Sequence, residues 1–389
     1  MANPAAGALE DPRPPKLIHV VYALTPGAFA GGVSKMVYEL ATAQRQQDVD
    51  VIVWTVAAEA DEIASNGLRI RSFPGSWRLG VASSPALTAE LRKLALARGP
   101  ALIVHGHNTF HPLNRQVREA VRGTGARLFY SPHGALDPAM MRGYSLKALK
   151  KRAYVAFAER PHLRAASGLF ALTPKERGQL KNLDVGVPIH VIPNGIAAVS
   201  LPAEDRPLRG GTSLGFIGRI NPKKGLQHLI HALHLLRRSY GEATLTIAGN
   251  RKQFPAYVSE LDRLAEKLGV VDALHWPGFL DEAAKQNLLA EIDVFLHASD
   301  SEGMPMAVLE AMEAGVPAIV TPGCCMQRAA KKGAVLEIAQ SPIAFAETIA
   351  RLADAPGERR DLGVRGQRHA WSVHSWPRIA ELYTAIYSA

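Results

Sequence analysis

Ser213-Leu214-Gly215-Phe216-Ile217-Gly218-Arg219, then Asn221-Pro222-Lys223-Lys224-Gly225, then Leu229, Ile230, Leu233 and Leu236 at helical spacing, is the stretch from which the fold follows. A short apolar run ending in glycine, a turn shaped by proline and glycine, and a helix with one apolar stripe make a strand, loop and helix in succession. The rest of the chain repeats that rhythm.

Downstream, Ala243 to Ala248 reads as a strand stopped by Gly249-Asn250, and Tyr257 to Leu268 as a helix. Val271 to Pro277 holds a short strand followed by Gly278-Phe279-Leu280, and further strands are read at Asp293 to His297 and Val316 to Thr321. Upstream, Leu17 to Leu24 leads through Gly27 and Gly31-Gly32 into the helical pattern Val33, Met36, Val37, Leu40. Val49 to Val56, Ala101 to His105 and Leu128 to Ser131 add strands, with Leu87 to Ala97 as a helix. Such alternation predicts an α/β protein of parallel sheets covered on both faces. At 389 residues two cores are expected. The simplest assembly is two Rossmann-like domains facing across a cleft, with ligands at the carboxyl ends of their strands.

Residues 1–15, rich in Pro and Ala without an apolar run, read as a disordered lead-in and not as a signal peptide. The first domain is expected over 16–196. A linker follows over 197–212, where Pro202, Pro207, Gly210 and Gly211 stand among mixed charges. The second domain runs over 213–370, and 371–389 forms a last helix with Trp376, Ile379, Leu382, Tyr383 and Ile386 on one face.

Apolar content of 47% without a run of about 18 apolar residues describes a soluble protein with no membrane span. The two cysteines, Cys324 and Cys325, are adjacent and would be strained as a bridge, which fits a reducing cytoplasm. A net charge of +10 fits an anionic substrate, an anionic membrane face or nucleic acid. Nucleic acid is the weakest of the three, since aromatics are only 6% and no zinc-finger or RNA-binding signature occurs.

Two features carry the chemistry. The first is Arg219 and Lys224, which flank a turn at the mouth of a sheet, where a guanidinium fork and an ammonium suit a phosphate. The second is Ser299-Asp300-Ser301-Glu302-Gly303-Met304-Pro305-Met306, opening a helix that runs to Gly315 and Pro317. Glu302 in its entering loop and Glu310 in its second turn bracket a helix N-terminus that favours an anion or hydroxyls. Taken singly, each of these groups is more often solvated surface.

Gly31-Gly32 opens another helix and could cradle a phosphate, but no dinucleotide fingerprint or terminal acid supports NAD. His133, in Ser131-Pro132-His133-Gly134, follows a strand and could touch a substrate hydroxyl, with His105 and His107 as rivals. No His, Cys, Asp or Glu set has metal-site spacing, so no metal is expected. From Arg142 to Arg164 seven cations face one acid, Glu159. This basic amphipathic segment reads as a solvated helix, or as one drawn to anionic lipid or a phosphate-bearing acceptor.

Together these elements resemble the family 4 retaining nucleotide-sugar glycosyltransferases of GT-B fold. The resemblance rests on Gly31-Gly32, on Val191-Ile192-Pro193-Asn194-Gly195-Ile196, on Phe216-Ile217-Gly218-Arg219 with Lys223-Lys224-Gly225-Leu226, and on Glu302-Gly303 through Glu310, an E-x7-E element. Pro132-His133-Gly134 to Asp137-Pro138, with Glu159-Arg160, is similar to the subgroup building bacterial exopolysaccharide or lipopolysaccharide.

The resemblance implies a hexosyltransferase that needs no metal and no cofactor beyond its donor substrate, acting on a glycan or lipid-linked glycan, cytoplasmic or peripheral at the inner membrane face. Arg219 and Lys224 would hold the diphosphate, Glu302 a sugar hydroxyl and Glu310 the ribose. The backbone from Gly303 through Met304 and Pro305 to Met306 would line the sugar and phosphate, with N–H groups from all but the proline, His133 would lie beside the sugar, and Gly249 and Phe279 would neighbour the base. The terminal helix would cross back onto the first domain. One departure is Cys324-Cys325-Met326-Gln327-Arg328, where the family often carries a proline-glutamate pair. An epimerase or phosphorylase on the same fold, or an idle scaffold of a polysaccharide assembly complex, are the alternatives.

Overall fold

The structure, a computed structural model, describes residues 16–26, 32–78, 81–107, 109–138, 146–198, 202–207 and 209–389. The lead-in, Gly31 and residues 142–145 of the basic segment lie outside these. The chain divides into two compact units, Met1–Gly195 with Trp376–Ala389, and Ile196–Ser375.

In the first unit the strands are β1 (Leu17–Val21), β2 (Val51–Ala57), β3 (Asp61–Ser65), β4 (Leu68–Pro74), the pair β5 (Ser76–Arg78) and β6 (Val81–Ser83), β7 (Ile103–His107), β8 (Arg127–Ser131), β9 (Gly168–Ala171) and β10 (Ile189–Val191). Eight of them form one sheet in the order β10-β9-β8-β7-β1-β2-β4-β3, parallel except where β3 turns back along β4. Alternate residues of the central strand serve opposite faces, as a pleat requires. Ile18 and Val20 join one core cluster. Leu17 and Val21 join another, beneath the helix Gly32–Gln46. The C-terminal helix Trp376–Ser388 packs in that second cluster through Trp376, Ile379 and Tyr383.

The second unit adds β11 (Ser213–Ile217), β12 (Thr244–Ala248), β13 (Leu274–Gly278), β14 (Val294–His297), β15 (Ala318–Val320) and β16 (Leu336–Glu337), all parallel, in the order β13-β12-β11-β14-β15-β16. Leu214, Phe216, Val294 and Leu296 pack under the helices Leu226–Arg237 and Pro342–Asp354. Phe295 faces the other way, onto Val308, Leu309 and Met312 of the helix Met306–Glu313. Strands buried on both faces explain the near-continuous apolar runs.

Residues read as a linker are stitched into this second unit. The Ala203 N–H donates to Gln367 Oε1 at 2.7 Å, the Arg206 guanidinium to the Leu289 carbonyl at 2.8 Å, and the Gly211 N–H to Asp293 at 3.0 Å. The helix Pro356–His374 carries residues 371–374 with the second unit, and the last helix begins at Trp376. The basic segment is a helix over Leu146–Tyr154, a π turn over Val155–Glu159 and a short helix over Arg160–Arg164. Two of its cations, Arg160 and Arg164, are bound to Asp184 at 2.7 Å each. No helix among the described residues is long and apolar enough to cross a membrane.

Candidate active site

In the second unit the site is built on the carboxyl ends of β11 and β14. After β14 the chain turns at Ala298 and Ser299, and the loop from Asp300 to Pro305 enters the helix Met306–Glu313. This loop is tied to its neighbours. The Asp300 N–H donates to the Lys223 carbonyl at 2.9 Å, the Glu302 N–H to Gly323 at 2.8 Å, and the Thr321 hydroxyl to Ser299 at 2.7 Å. Gly225 sits at φ 62°, and a Cβ there would meet the Ala298 carbonyl at 2.3 Å, so only glycine lets the Lys224 turn approach.

That approach gathers three groups on one carboxylate oxygen. Oε1 of Glu302 accepts from the Lys224 ammonium, from the Ser299 hydroxyl at 2.6 Å and faces His297 Nε2 at 3.2 Å. Burial pushes the Glu302 carboxyl upward, but the hydrogen bond from His297 and the charge of Lys224 outweigh it and hold the group below the usual carboxylate range. Glu302 is therefore an ionised acceptor whose Oε2 takes no hydrogen bond among the described residues. His297 is itself buried, which lowers its pKa, while Glu302 pulls the other way.

Glu310 departs from the solvated reading. It is buried and forms an ion pair with the buried Lys285 of the helix Glu282–Glu291, Nζ to Oε1 at 2.5 Å. Pro305 stands at the cap of the helix, which begins at Met306. Among the described residues no acceptor is found for the N–H groups of Gly303, Met304 and Met306. Arg219, past the end of β11, is exposed and makes no ion pair with the described residues.

Gly249 and Phe279 follow β12 and β13. The Gly249 N–H donates to the Gly278 carbonyl at 2.8 Å, and a Cβ on Gly249 would meet the Gly218 carbonyl at 2.1 Å. Phe279 is 81% exposed, an aromatic face held out at a strand end. Cys324 is buried against the His297 carbonyl and the Cys325 thiol lies against the Glu302 carbonyl at 3.3 Å, so the two cysteines support the same loop.

In the first unit, Gly32 begins the helix Gly32–Gln46; its partner Gly31 lies outside the described residues. His133 sits just past β8 in a left-handed backbone, φ 55°, followed by Gly134 at φ 75°. The turn is pinned by the buried Glu176, which accepts the N–H groups of Gly134 at 2.6 Å and Leu172 at 2.7 Å. Behind His133 lies a set of buried histidines, His19, His105 and His107. Their nitrogens gather within 4.8 Å, the spacing of a metal centre, but all six are already hydrogen-bonded, to one another or to Gln44, Ser131, Tyr387 and His133. The set is a filled polar network.

Sequence reasoning missed Lys285, His297 and Ser299 as partners of the two glutamates. His297 could have been read as the polar end of an apolar strand. Lys285 left no signal, because nothing local distinguishes a buried lysine from a surface one.

Residues 31–195 match the family model described as a glycosyl transferase 4-like domain, and residues 208–369 match glycosyl transferases group 1. Among curated proteins, the MMP alpha-(1->4)-mannosyltransferase of Mycolicibacterium hassiacum is 25% identical over 258 residues, covering 64% of this chain and 58% of that protein. The chain thus spans little more than half the length of that relative. Among solved structures, sucrose-phosphate synthase from Thermosynechococcus elongatus has a TM-score of 0.75 at 18% identity, covering 96% of this chain and 98% of its own. HepE of Anabaena, in complex with UDP and glucose, has a TM-score of 0.71 at 18% identity, covering 96% and 99%. At such identities the likeness shows the fold alone.

Proposed function

This chain belongs to the glycosyltransferases of GT-B fold, and on that premise we propose that it is a retaining, metal-independent hexosyltransferase moving a sugar from a nucleotide-diphosphate sugar to a glycan or lipid-linked glycan in bacterial surface polysaccharide synthesis. The observation that carries this reading is the convergence of Lys224, Ser299 and His297 on Glu302 beside the start of the helix that bears Glu310. One ionised acceptor and a cation stand within one hydrogen bond of each other, which suits a sugar hydroxyl next to a phosphate.

In this assignment Arg219 and Lys224 hold the diphosphate, with the N–H groups of Gly303, Met304 and Met306 turned to the sugar-phosphate junction. Glu302 takes a sugar hydroxyl on Oε2, and Glu310 takes the ribose. Gly249 and Phe279 border the base, Gly32 with Gly31 faces a phosphate, and His133 contacts the sugar. Cleavage of the sugar–phosphate bond builds positive charge on the anomeric carbon and negative charge on the departing diphosphate, so fixed cations there lower the barrier. The acceptor hydroxyl attacks on the same face, and the leaving phosphate takes its proton, which keeps the stereochemistry and asks for no metal.

A peripheral contact with anionic membrane is part of the reading. Phe157 at 84% and Leu149 at 54% exposure stand among Lys150, Lys151 and Arg152, a mix that suits an anionic lipid surface. Co-sedimentation tests it: equal recovery with neutral and anionic vesicles removes the contact.

For the reaction, incubation with each common nucleotide sugar should give slow release of UDP, GDP or ADP. Failure of every donor to be hydrolysed or bound at millimolar concentration overturns the enzyme reading.

A further inference from the structure

The outer end of the histidine network is the half-buried His133, and its inner end is an amide. His133 Nε2 lies 3.0 Å from His107 Nδ1. His107 Nε2 lies 2.8 Å from His19 Nδ1. His19 Nε2 lies 2.7 Å from Gln44 Oε1. Four side chains from β1, β7, the turn after β8 and the helix Gly32–Gln46 thus form one unbranched file. Register makes it possible: His19 pairs with His105 across β1 and β7, and His107 follows two residues on, so all three rings share a face.

The file has a direction. Burial keeps these rings neutral, His19 down to about 4 and His105 and His107 well below the ordinary value, so each carries one N–H and one bare nitrogen. An amide oxygen only accepts. With the Gln44 oxygen turned to His19, His19 donates from Nε2 to Gln44, which bares its Nδ1 to accept from His107 Nε2–H. His107 Nδ1 in turn accepts from His133 Nε2–H. The last ring is left with a bare Nδ1. His105 is not in the file but walls it, held by Ser131 at 2.8 Å and by the Tyr387 hydroxyl of the C-terminal helix at 2.6 Å.

We propose that Gln44, His19 and His107 are positioning residues that fix the tautomer and plane of His133, so that its Nδ1 stands as an acceptor for one hydroxyl of the transferred sugar. This rests on the reading of His133 as a donor-site residue. It explains a construction that packing alone does not require: a left-handed, non-glycine residue, pinned by Glu176, placed at the end of a one-way chain of neutral rings. A site built to accept a hydroxyl discriminates against a donor lacking it, because the bare nitrogen is then left unpaired.

The test is long-range ¹H–¹⁵N spectroscopy of histidine-labelled full-length protein, with His133 assigned by its loss in His133→Gln. Wild-type protein should show His133 as a single Nε2–H tautomer, and a tautomer mixture overturns the proposal before any Gln44 variant is made. In Gln44→Met, which keeps the volume and removes the acceptor, the His133 signals should move toward a mixture. There kcat/KM for the donor should fall about tenfold, and Gln44→Glu, which restores an oxygen, should recover most of it. Unchanged His133 signals and unchanged kcat/KM in Gln44→Met overturn the positioning role. The spectrum is read without turnover, so a protein that binds no nucleotide sugar refutes the proposed function while the tautomer result stands by itself.

Discussion

Lys285 and Glu310 form a buried ion pair, 2.5 Å from ammonium to carboxylate oxygen, between the helix Glu282–Glu291 and the helix that opens from the Glu302 loop. A buried carboxylate held this way presents its second oxygen in one direction. Removing one partner strands the other charge in the interior, at a typical cost of about 3–5 kcal/mol. Lys285→Met should therefore lower both stability and donor affinity. Lys285→Met with Glu310→Leu should regain stability in urea unfolding yet leave affinity low by calorimetry. Recovered affinity in the double variant would remove the ribose role of Glu310.

Arg219 gives the opposite pattern. Being exposed and without an ion pair among the described residues, it contributes little to the fold. Arg219→Ala should leave the unfolding free energy within about 0.5 kcal/mol of wild type. If the guanidinium absorbs charge on the leaving diphosphate, kcat for donor cleavage should drop about 10²–10³-fold. A variant with wild-type kcat shows that the phosphate is held elsewhere.

Glu159 is buried, and burial raises its pKa to about 7, although its Oε1 accepts the Phe110 N–H at 2.6 Å. A carboxyl raised in the folded state stabilises most below its unfolded value near 4.5. That contribution is lost as pH rises through about 7. Glu159→Gln keeps the acceptor and abolishes the charge. Relative to wild type it should gain on the order of 3 kcal/mol between pH 5 and 8. Parallel stability curves for the two proteins contradict this.

His162 is buried with neither ring nitrogen hydrogen-bonded among the described residues, its ring 3.9 Å from that of Tyr130, and burial lowers its pKa to about 3. A lowered histidine contributes stability above its unfolded pKa, near 6.5, and loses it as pH falls toward about 3. His162→Leu should be neutral or stabilising at pH 7, since an unpaired buried polar group costs about 1–3 kcal/mol. Its advantage should widen from pH 6 to pH 4 in chemical unfolding; an advantage that stays constant with pH means His162 does not titrate as described.

Much of this molecule is written locally. Strand, glycine turn and helix recur because each is coded by neighbours: apolar runs for strands buried on both faces, Gly225 where a carbonyl approaches to 2.3 Å of a notional Cβ, and a stop at Gly315. Lys224 and Glu302 could be named as site candidates from spacing because both lie in loops at strand ends, where parallel sheets collect polar groups. The two-stranded excursion of β5 and β6 escaped reading because strands of three residues carry too little periodicity.

What the sequence by itself determined was the α/β class, the positions of most strands, and the candidates Arg219, Lys224, Glu302, Glu310 and His133. Only the tertiary structure decided how those groups are held. Seventy-eight residues separate Lys224 from Glu302, twenty-five separate Lys285 from Glu310, and eighty-eight separate His19 from His107. Each pair meets because parallel pairing or helix packing brings distant strand ends and helix faces together. Burial there turns an ordinary surface glutamate into a paired, oriented carboxylate and three scattered histidines into a directed file. Local sequence records residue type and period; desolvation and partner are properties of the assembled core.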